Sequence, residues 1–170
     1  MAFVGMVSAA VLSLSSASAN ATGSTGVWLL RNGSSAKCLS IPGGSSAPNG
    51  TAAVQYTCDL PPAAEYDDDQ EWLFKLVPGA TSTYTLRNIA GDRCLAIGGA
   101  SHTAGAKAIQ WTCGSGTEQQ WIYDSSGRLR NKESGLCLAI PSASQSNGME
   151  AIQWTCEDVS TNPEQNWFQS

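Results

Sequence analysis

A glutamine two residues before a tryptophan occurs three times, at Gln70-Glu71-Trp72, Gln119-Gln120-Trp121 and Gln165-Asn166-Trp167. The tryptophans stand 49 and 46 residues apart, and three other motifs recur once per copy in the same order. A Cys-Leu-small-Ile tetrapeptide lies upstream of each, at Cys38-Leu39-Ser40-Ile41, Cys94-Leu95-Ala96-Ile97 and Cys137-Leu138-Ala139-Ile140. An apolar-Gln-aromatic-Thr-Cys run follows it, at Val54-Gln55-Tyr56-Thr57-Cys58, Ile109-Gln110-Trp111-Thr112-Cys113 and Ile152-Gln153-Trp154-Thr155-Cys156. Leu-Arg-Asn precedes both, at residues 30–32, 86–88 and 129–131. A fixed period of this length means a repeat architecture, in which one unit cannot bury its own apolar face and neighbours must complete the core. The copies run over about residues 27–79, 80–127 and 128–170.

Each copy reads as four short strands separated by Gly, Pro, Ser and Asn turns. In the first they fall at residues 28–32, 38–41, 53–58 and 71–76. In the second they fall at 83–88, 94–97, 106–113 and 120–123, and in the third at 128–131, 136–140, 151–156 and 166–169. Twelve short strands with frequent turns and no helical period predict an all-β fold. Three four-stranded units closing around a common axis would bring the Leu of each Cys-Leu motif and Trp72, Trp121 and Trp167 together in one core. A buried tryptophan removes roughly 200 Å² from water, so three of them dominate a small interior.

Composition narrows the function classes. Only 14% of residues are charged and the net charge is −5. No Lys/Arg cluster exists, which argues against nucleic acid and against an anionic membrane surface. Residues 1–21 read as a secretory leader, with an apolar stretch and small-residue cleavage sites, although no basic residue precedes Arg31. Residues 22–170 then form the mature domain. Six cysteines in a secreted chain imply a disulfide framework. Each repeat owns two of them, which selects Cys38–Cys58, Cys94–Cys113 and Cys137–Cys156. Closing each loop of about 20 residues contributes roughly 3 kcal/mol on a chain-entropy model. Metal binding is disfavoured, because there is no Cys-x-x-Cys spacing and His102 is the single histidine. The acidic run at residues 65–69 lacks the glycine-centred calcium-loop pattern and reads as a solvated loop. No cofactor is expected.

The linked Cys-Leu-x-Ile, aromatic-x-Cys and Gln-x-Trp motifs resemble the ricin B-chain type lectin repeats, in a style similar to secreted actinobacterial carbohydrate-binding modules. The resemblance covers about residues 26–170. It implies a β-trefoil with pseudo-threefold symmetry and a carbohydrate partner, such as a plant or microbial polysaccharide with galactose- or xylose-type sugars. It also implies a monomer. The resemblance assigns Trp72, Trp121 and Trp167 to the core. It places sugar stacking on Tyr56, Trp111 and Trp154, with hydrogen bonds completed by Gln70, Gln119 and Gln165. The family aspartate that follows Cys-Leu is replaced by Ser40, Ala96 and Ala139, and the asparagine before the Gln by Asp69, Glu118 and Glu164. Those three carboxylates, with Ser40, are the expected stand-in polar groups.

Strict alternation puts Ile109, Trp111 and Cys113 on one strand face. Trp111 and its equivalents therefore either pack beside the disulfide or stand out to stack on a ligand. Catalysis is disfavoured: no Ser-His-Asp arrangement surrounds His102, and no paired-acid pattern for glycoside hydrolysis is present. The reading that follows is a secreted, non-catalytic lectin-like module. The rival is a protein-interaction or inhibitor trefoil that has lost sugar binding, since one scaffold hosts many functions.

Overall fold

The computed structural model describes residues 25–59 and 68–170. The expected leader, residues 1–21, and acidic residues 65–67 lie outside the described residues.

Repeat one supplies β1 (Gly26–Asn32), β2 (Cys38–Ser40), β3 (Val54–Tyr56) and β4 (Glu71–Leu76). Repeat two supplies β5 (Thr83–Asn88), β6 (Cys94–Ile97), β7 (Ala108–Trp111) and β8 (Gln120–Tyr123). Repeat three supplies β9 (Leu129–Asn131), β10 (Cys137–Ala139), β11 (Met149–Glu150), β12 (Ile152–Trp154) and β13 (Trp167–Gln169). The four-strand unit is thus observed in every repeat. The third expected strand of repeat three is divided, because the main chain of Ala151 turns to the central axis between β11 and β12.

All pairing is antiparallel. The first and last strands of the repeats form a barrel, with β1 paired to β4, β4 to β5, β5 to β8 and β8 to β9. β13 pairs with β1, and the Trp167 N–H donates to the Gly127 carbonyl at 2.8 Å, which closes the ring next to β9. The hairpins β2–β3, β6–β7 and β10–β12 form a cap over one end. This is the β-trefoil expected from the sequence. Among the described residues no helix is long and apolar enough to cross a membrane.

The core is the repeat motif seen end-on. Trp72, Trp121 and Trp167 are fully buried, and their indole N–H groups donate to the carbonyls of Leu39, Leu95 and Leu138 at 2.9, 2.9 and 3.0 Å. The buried indole therefore leaves no unpaired donor, the usual penalty for placing tryptophan inside. Leu39, Leu95 and Leu138 pack with Ile41, Ile97 and Ile140 in the same cluster. Away from the cap, Phe74 meets Tyr84 at 5.7 Å and Tyr123 at 6.1 Å between ring centroids.

The repeats interlock around the axis. Ala53 N–H donates to Ala108 O at 2.9 Å, Ala108 N–H to Ala151 O at 2.9 Å, and Ala151 N–H to Ala53 O at 2.8 Å, so three main-chain bonds form a closed triangle. Only a residue as small as alanine fits where three chains converge, and all three are fully buried. The three disulfides pair Cys38 with Cys58, Cys94 with Cys113 and Cys137 with Cys156, as the repeat count predicts.

Candidate carbohydrate sites

Each hairpin of the cap carries the same set of side chains outward. In β7 the pattern alternates: Ala108 and Gln110 are buried, Ile109 is half-buried, and Trp111 is exposed. The ring thus stands out to solvent and is not packed beside the disulfide. Tyr56, Trp111 and Trp154 are 48%, 46% and 44% exposed, a near-identical value at three equivalent positions.

The exposed rings are supported by the neighbouring repeat. A Cβ placed on Gly50 would lie 3.8 Å from Trp111 Cζ3, and one on Gly105 would lie 3.9 Å from Trp154 Cζ3. Both glycines have left-handed φ, 88° and 89°, which glycine adopts without steric cost. Asn49 Nδ2 donates to Thr112 Oγ1 at 2.9 Å, and Thr57 N–H donates to Asn147 Oδ1 at 3.1 Å, pinning the residue after the aromatic.

Beneath Trp111 lies an open cavity of about 390 Å³, lined by Ala96, Ile97, Gly99, Ala100, Ile109, Trp111 and Glu118. Beneath Trp154 lies a smaller one of about 160 Å³, lined by Ala139, Pro141, Ser142, Ile152, Trp154, Glu157, Glu164 and others. The floor is the residue after Cys-Leu, where Ala96 and Ala139 are buried methyl groups. In repeat one the same position is Ser40, also buried, whose hydroxyl donates to Asp69 Oδ2 at 2.6 Å. Glu118 and Glu164 thus share a cavity with the floor residue and the aromatic of their repeats, and in repeat one Asp69 bonds the floor residue itself.

A two-residue left-handed turn follows the floor strand in each repeat, and Gly99, Ala100 and Ser142 of these turns line the two cavities. Gly43 and Gly44 (φ 88° and 49°), Gly99 and Ala100 (62° and 50°), and Ser142 and Ala143 (53° and 50°) are equivalent pairs. Non-glycine residues in this region carry backbone strain.

Gln70, Gln119 and Gln165 are buried and their carboxamides are committed to the main chain. The Nε2 groups donate to the carbonyls of Thr57, Thr112 and Thr155 at 3.0, 3.1 and 2.8 Å. Their Oε1 atoms accept from the N–H groups of Asp59, Gly114 and Glu157 at 3.0, 2.8 and 2.9 Å. Each glutamine clamps the residue after the second cysteine to the turn bearing the carboxylate. The resemblance gives these glutamines two roles, a backbone tie and a sugar contact, and every bond seen here is of the first kind.

Two carboxyl groups outside the cavity linings are held below their ordinary range. The Thr117 hydroxyl donates to Glu133, and this bond, with His102 beside it, holds the Glu133 carboxyl below its ordinary range. The Ser160 main-chain N–H and hydroxyl do the same for Asp158. His102 is exposed and faces Glu133 at 3.3 Å, and its surroundings place no nucleophile beside it among the described contacts. A hollow of about 700 Å³ on the barrel wall is lined by Leu73, Lys75, Arg87 and Gln120 among others, but it has no aromatic platform.

The chain resembles known proteins along nearly its whole length. The designed threefold-symmetric protein ThreeFoil superposes with a TM-score of 0.72 at 26% identity, covering 84% of this chain and 96% of ThreeFoil. The Polyporus squamosus lectin bound to the human-type influenza-binding epitope Neu5Aca2-6Galb1-4GlcNAc gives 0.69 at 20% identity, covering 86% of this chain and 49% of the lectin. The exo-β-1,3-galactanase 1,3Gal43A from Clostridium thermocellum gives 0.70 at 23% identity, covering 86% of this chain and 30% of the enzyme. The chain thus spans less than half the length of the lectin and the galactanase. No curated protein sequence matches it. The family model for the ricin-type beta-trefoil lectin domain matches residues 27–167, and the chain belongs to that family.

Proposed function

We propose that this chain is a secreted, non-catalytic carbohydrate-binding protein, acting as a monomer on plant or microbial polysaccharide. The observation that carries the reading is the set of three exposed rings, Tyr56, Trp111 and Trp154, at equivalent positions 44–48% exposed. A sugar ring has an apolar C–H face and a hydroxyl rim. A flat aromatic beside fixed acceptors matches both. Asp69, Glu118 and Glu164 serve as the acceptors, with Ser40 orienting Asp69, while Gln70, Gln119 and Gln165 hold the acceptor turns in place.

A lectin and a galactanase among the similar structures support galactose-type ligands. Three disulfides fit an oxidising, extracellular compartment. Weak single sites become useful when linked, because a polymer presents many sugars to three sites on one rigid body.

A panel of insoluble polysaccharides (xylan, galactan, arabinan, cellulose, chitin) tests the reading against a Tyr56→Ala/Trp111→Ala/Trp154→Ala triple variant. Retention of the parent and release of the variant are expected. One observation favours the rival protein-interaction reading: the methyl floors at Ala96 and Ala139 offer no acceptor to a hydroxyl. A parent that no glycan retains, but that captures one protein from culture medium, would establish that rival.

A further inference from the structure

The site of repeat three differs from that of repeat two in charge. Glu157 and Glu164 both line the cavity beneath Trp154. Both residues are half-buried. Neither side chain has a hydrogen bond or ion pair among the described residues, while the main-chain atoms of both are bonded. Among the described residues no Lys, Arg or His lines the cavity. Arg128 reaches the Glu157 carbonyl at 3.0 Å, but its ion pair is with Asp124 at 2.8 Å. The residue equivalent to Glu157 in repeat two is Gly114, so among the described residues the larger Trp111 cavity has Glu118 as its one carboxylate.

Two anionic groups in so small a cavity dictate what can enter. A ligand seated on Trp154 takes water from both carboxylates. Neutral hydroxyls return hydrogen bonds but leave two like charges together in a drier place, which is unfavourable. An ammonium group returns charge and three donors at once. The face of an indole also attracts a cation.

We propose that the repeat-three site takes a sugar carrying a protonated amine, a 2-amino-2-deoxyhexose unit of a deacetylated polysaccharide, with Glu157 and Glu164 binding the ammonium and Trp154 the ring face. The proposal rests on the carbohydrate-binding reading and names the ligand class of one of its sites. Trp111 serves as the internal control, because its cavity has the same ring without the second carboxylate.

The test is an NMR titration of the indole N–H signals of Trp111 and Trp154 in the full chain, assigned with Trp111→Phe and Trp154→Phe. The probes are a β-1,4-linked glucosamine tetramer, its fully N-acetylated counterpart and a neutral xylose tetramer. The expected result is binding of the amine tetramer at Trp154 about tenfold tighter than its N-acetylated form. That preference disappears in a Glu157→Gln/Glu164→Gln variant of unchanged Tm and does not appear at Trp111. Equal binding of all three probes at Trp154 overturns the amine assignment and leaves the lectin reading intact. A preference for the amine that survives the double Gln substitution reflects the acidic surface as a whole and also overturns it. Signals that no saccharide moves at either indole overturn both readings together.

Discussion

The carboxamide of Asn32 donates to the main-chain carbonyl of Glu164 at 2.8 Å, across 132 residues of chain. Asn88 does the same to Asp69 at 2.7 Å, and Asn131 to Glu118 at 2.8 Å. Every Leu-Arg-Asn thus holds the carboxylate-bearing turn of the preceding repeat, and the first repeat holds that of the last. The Asn32 Oδ1 atom also accepts the Ser34 N–H at 3.0 Å. Asn32→Ala removes the donor to a carbonyl and the acceptor for an amide in a buried place, so a loss of about 1–3 kcal/mol is expected in denaturant unfolding. Because the tie positions Glu164, ligand affinity at Trp154 should fall while that at Trp111 is unchanged. Equal weakening at both sites would show a global defect and contradict a local tie.

Repeat two lacks one hydrogen bond that the other repeats make. The hydroxyls of Ser35 and Ser134 donate at 2.6 Å to Gln55 Oε1 and Gln153 Oε1. The equivalent residue in repeat two is Gly91, and Gln110 Oε1 is buried without a partner among the described residues. Gly91→Ser should supply the donor and stabilise the protein by about 1 kcal/mol. A Cβ at position 91 would stand 2.8 Å from that oxygen, so the amide must shift slightly to receive it. Gly91→Ala adds the Cβ without the donor and should not stabilise. A serine variant no more stable than the alanine one would show that the shift outweighs the bond.

The left-handed turns after the floor strands predict a second stabilising change. Gly44 adopts φ 49° in repeat one, and Ala100 and Ala143 adopt 50° at the same place. A Cβ there is strained by about 1–2 kcal/mol, while glycine returns part of that through its freer unfolded state. Ala100→Gly and Ala143→Gly should each raise stability by about 0.5–1 kcal/mol. An increase in stability with reduced sugar affinity would show that the rigid turn preorganises the site.

Tyr123 makes stability fall at alkaline pH. Burial, and then the charge of Asp124, raise its pKa above the ordinary 10.0. Its hydroxyl donates to the Trp167 carbonyl at 2.7 Å. Folding therefore favours the neutral phenol. The linked stability is complete below pH 10.0 and is lost as pH rises through the folded-state pKa. Burial raises the Tyr84 pKa in the same direction. Tyr123→Phe should be about 1 kcal/mol less stable at neutral pH and should show a shallower alkaline decline. An unchanged slope in the variant would assign the decline to other groups.

Much of this was legible in the sequence for a physical reason: anything that three repeats must do identically leaves three aligned copies. The disulfides, the buried Leu39–Trp72 type of contact and the four-strand unit all have that property. The exposure of Trp111 was not legible, because alternation says which residues share a face but not which face meets water. For Gln70, Gln119 and Gln165 the resemblance offered both a backbone tie and a sugar contact, and the residue type could not choose between them, since an amide suits a sugar hydroxyl and a peptide group equally well. The neighbour ties made by Asn32, Asn88 and Asn131 join repeats across the axis, and spacing within one repeat carries no trace of them.

The alanine triangle at the axis has a consequence for how such a chain can be divided. Each of its three bonds has its donor in one repeat and its acceptor in another. None of them requires the repeats to be covalently joined. A peptide holding one repeat therefore contains the complete set of self-complementary groups for a closed homotrimer of cyclic symmetry. A chain cut to the first two repeats instead strands the Ala108 donor and the Ala53 acceptor at the centre of the molecule, and only a third unit can satisfy both.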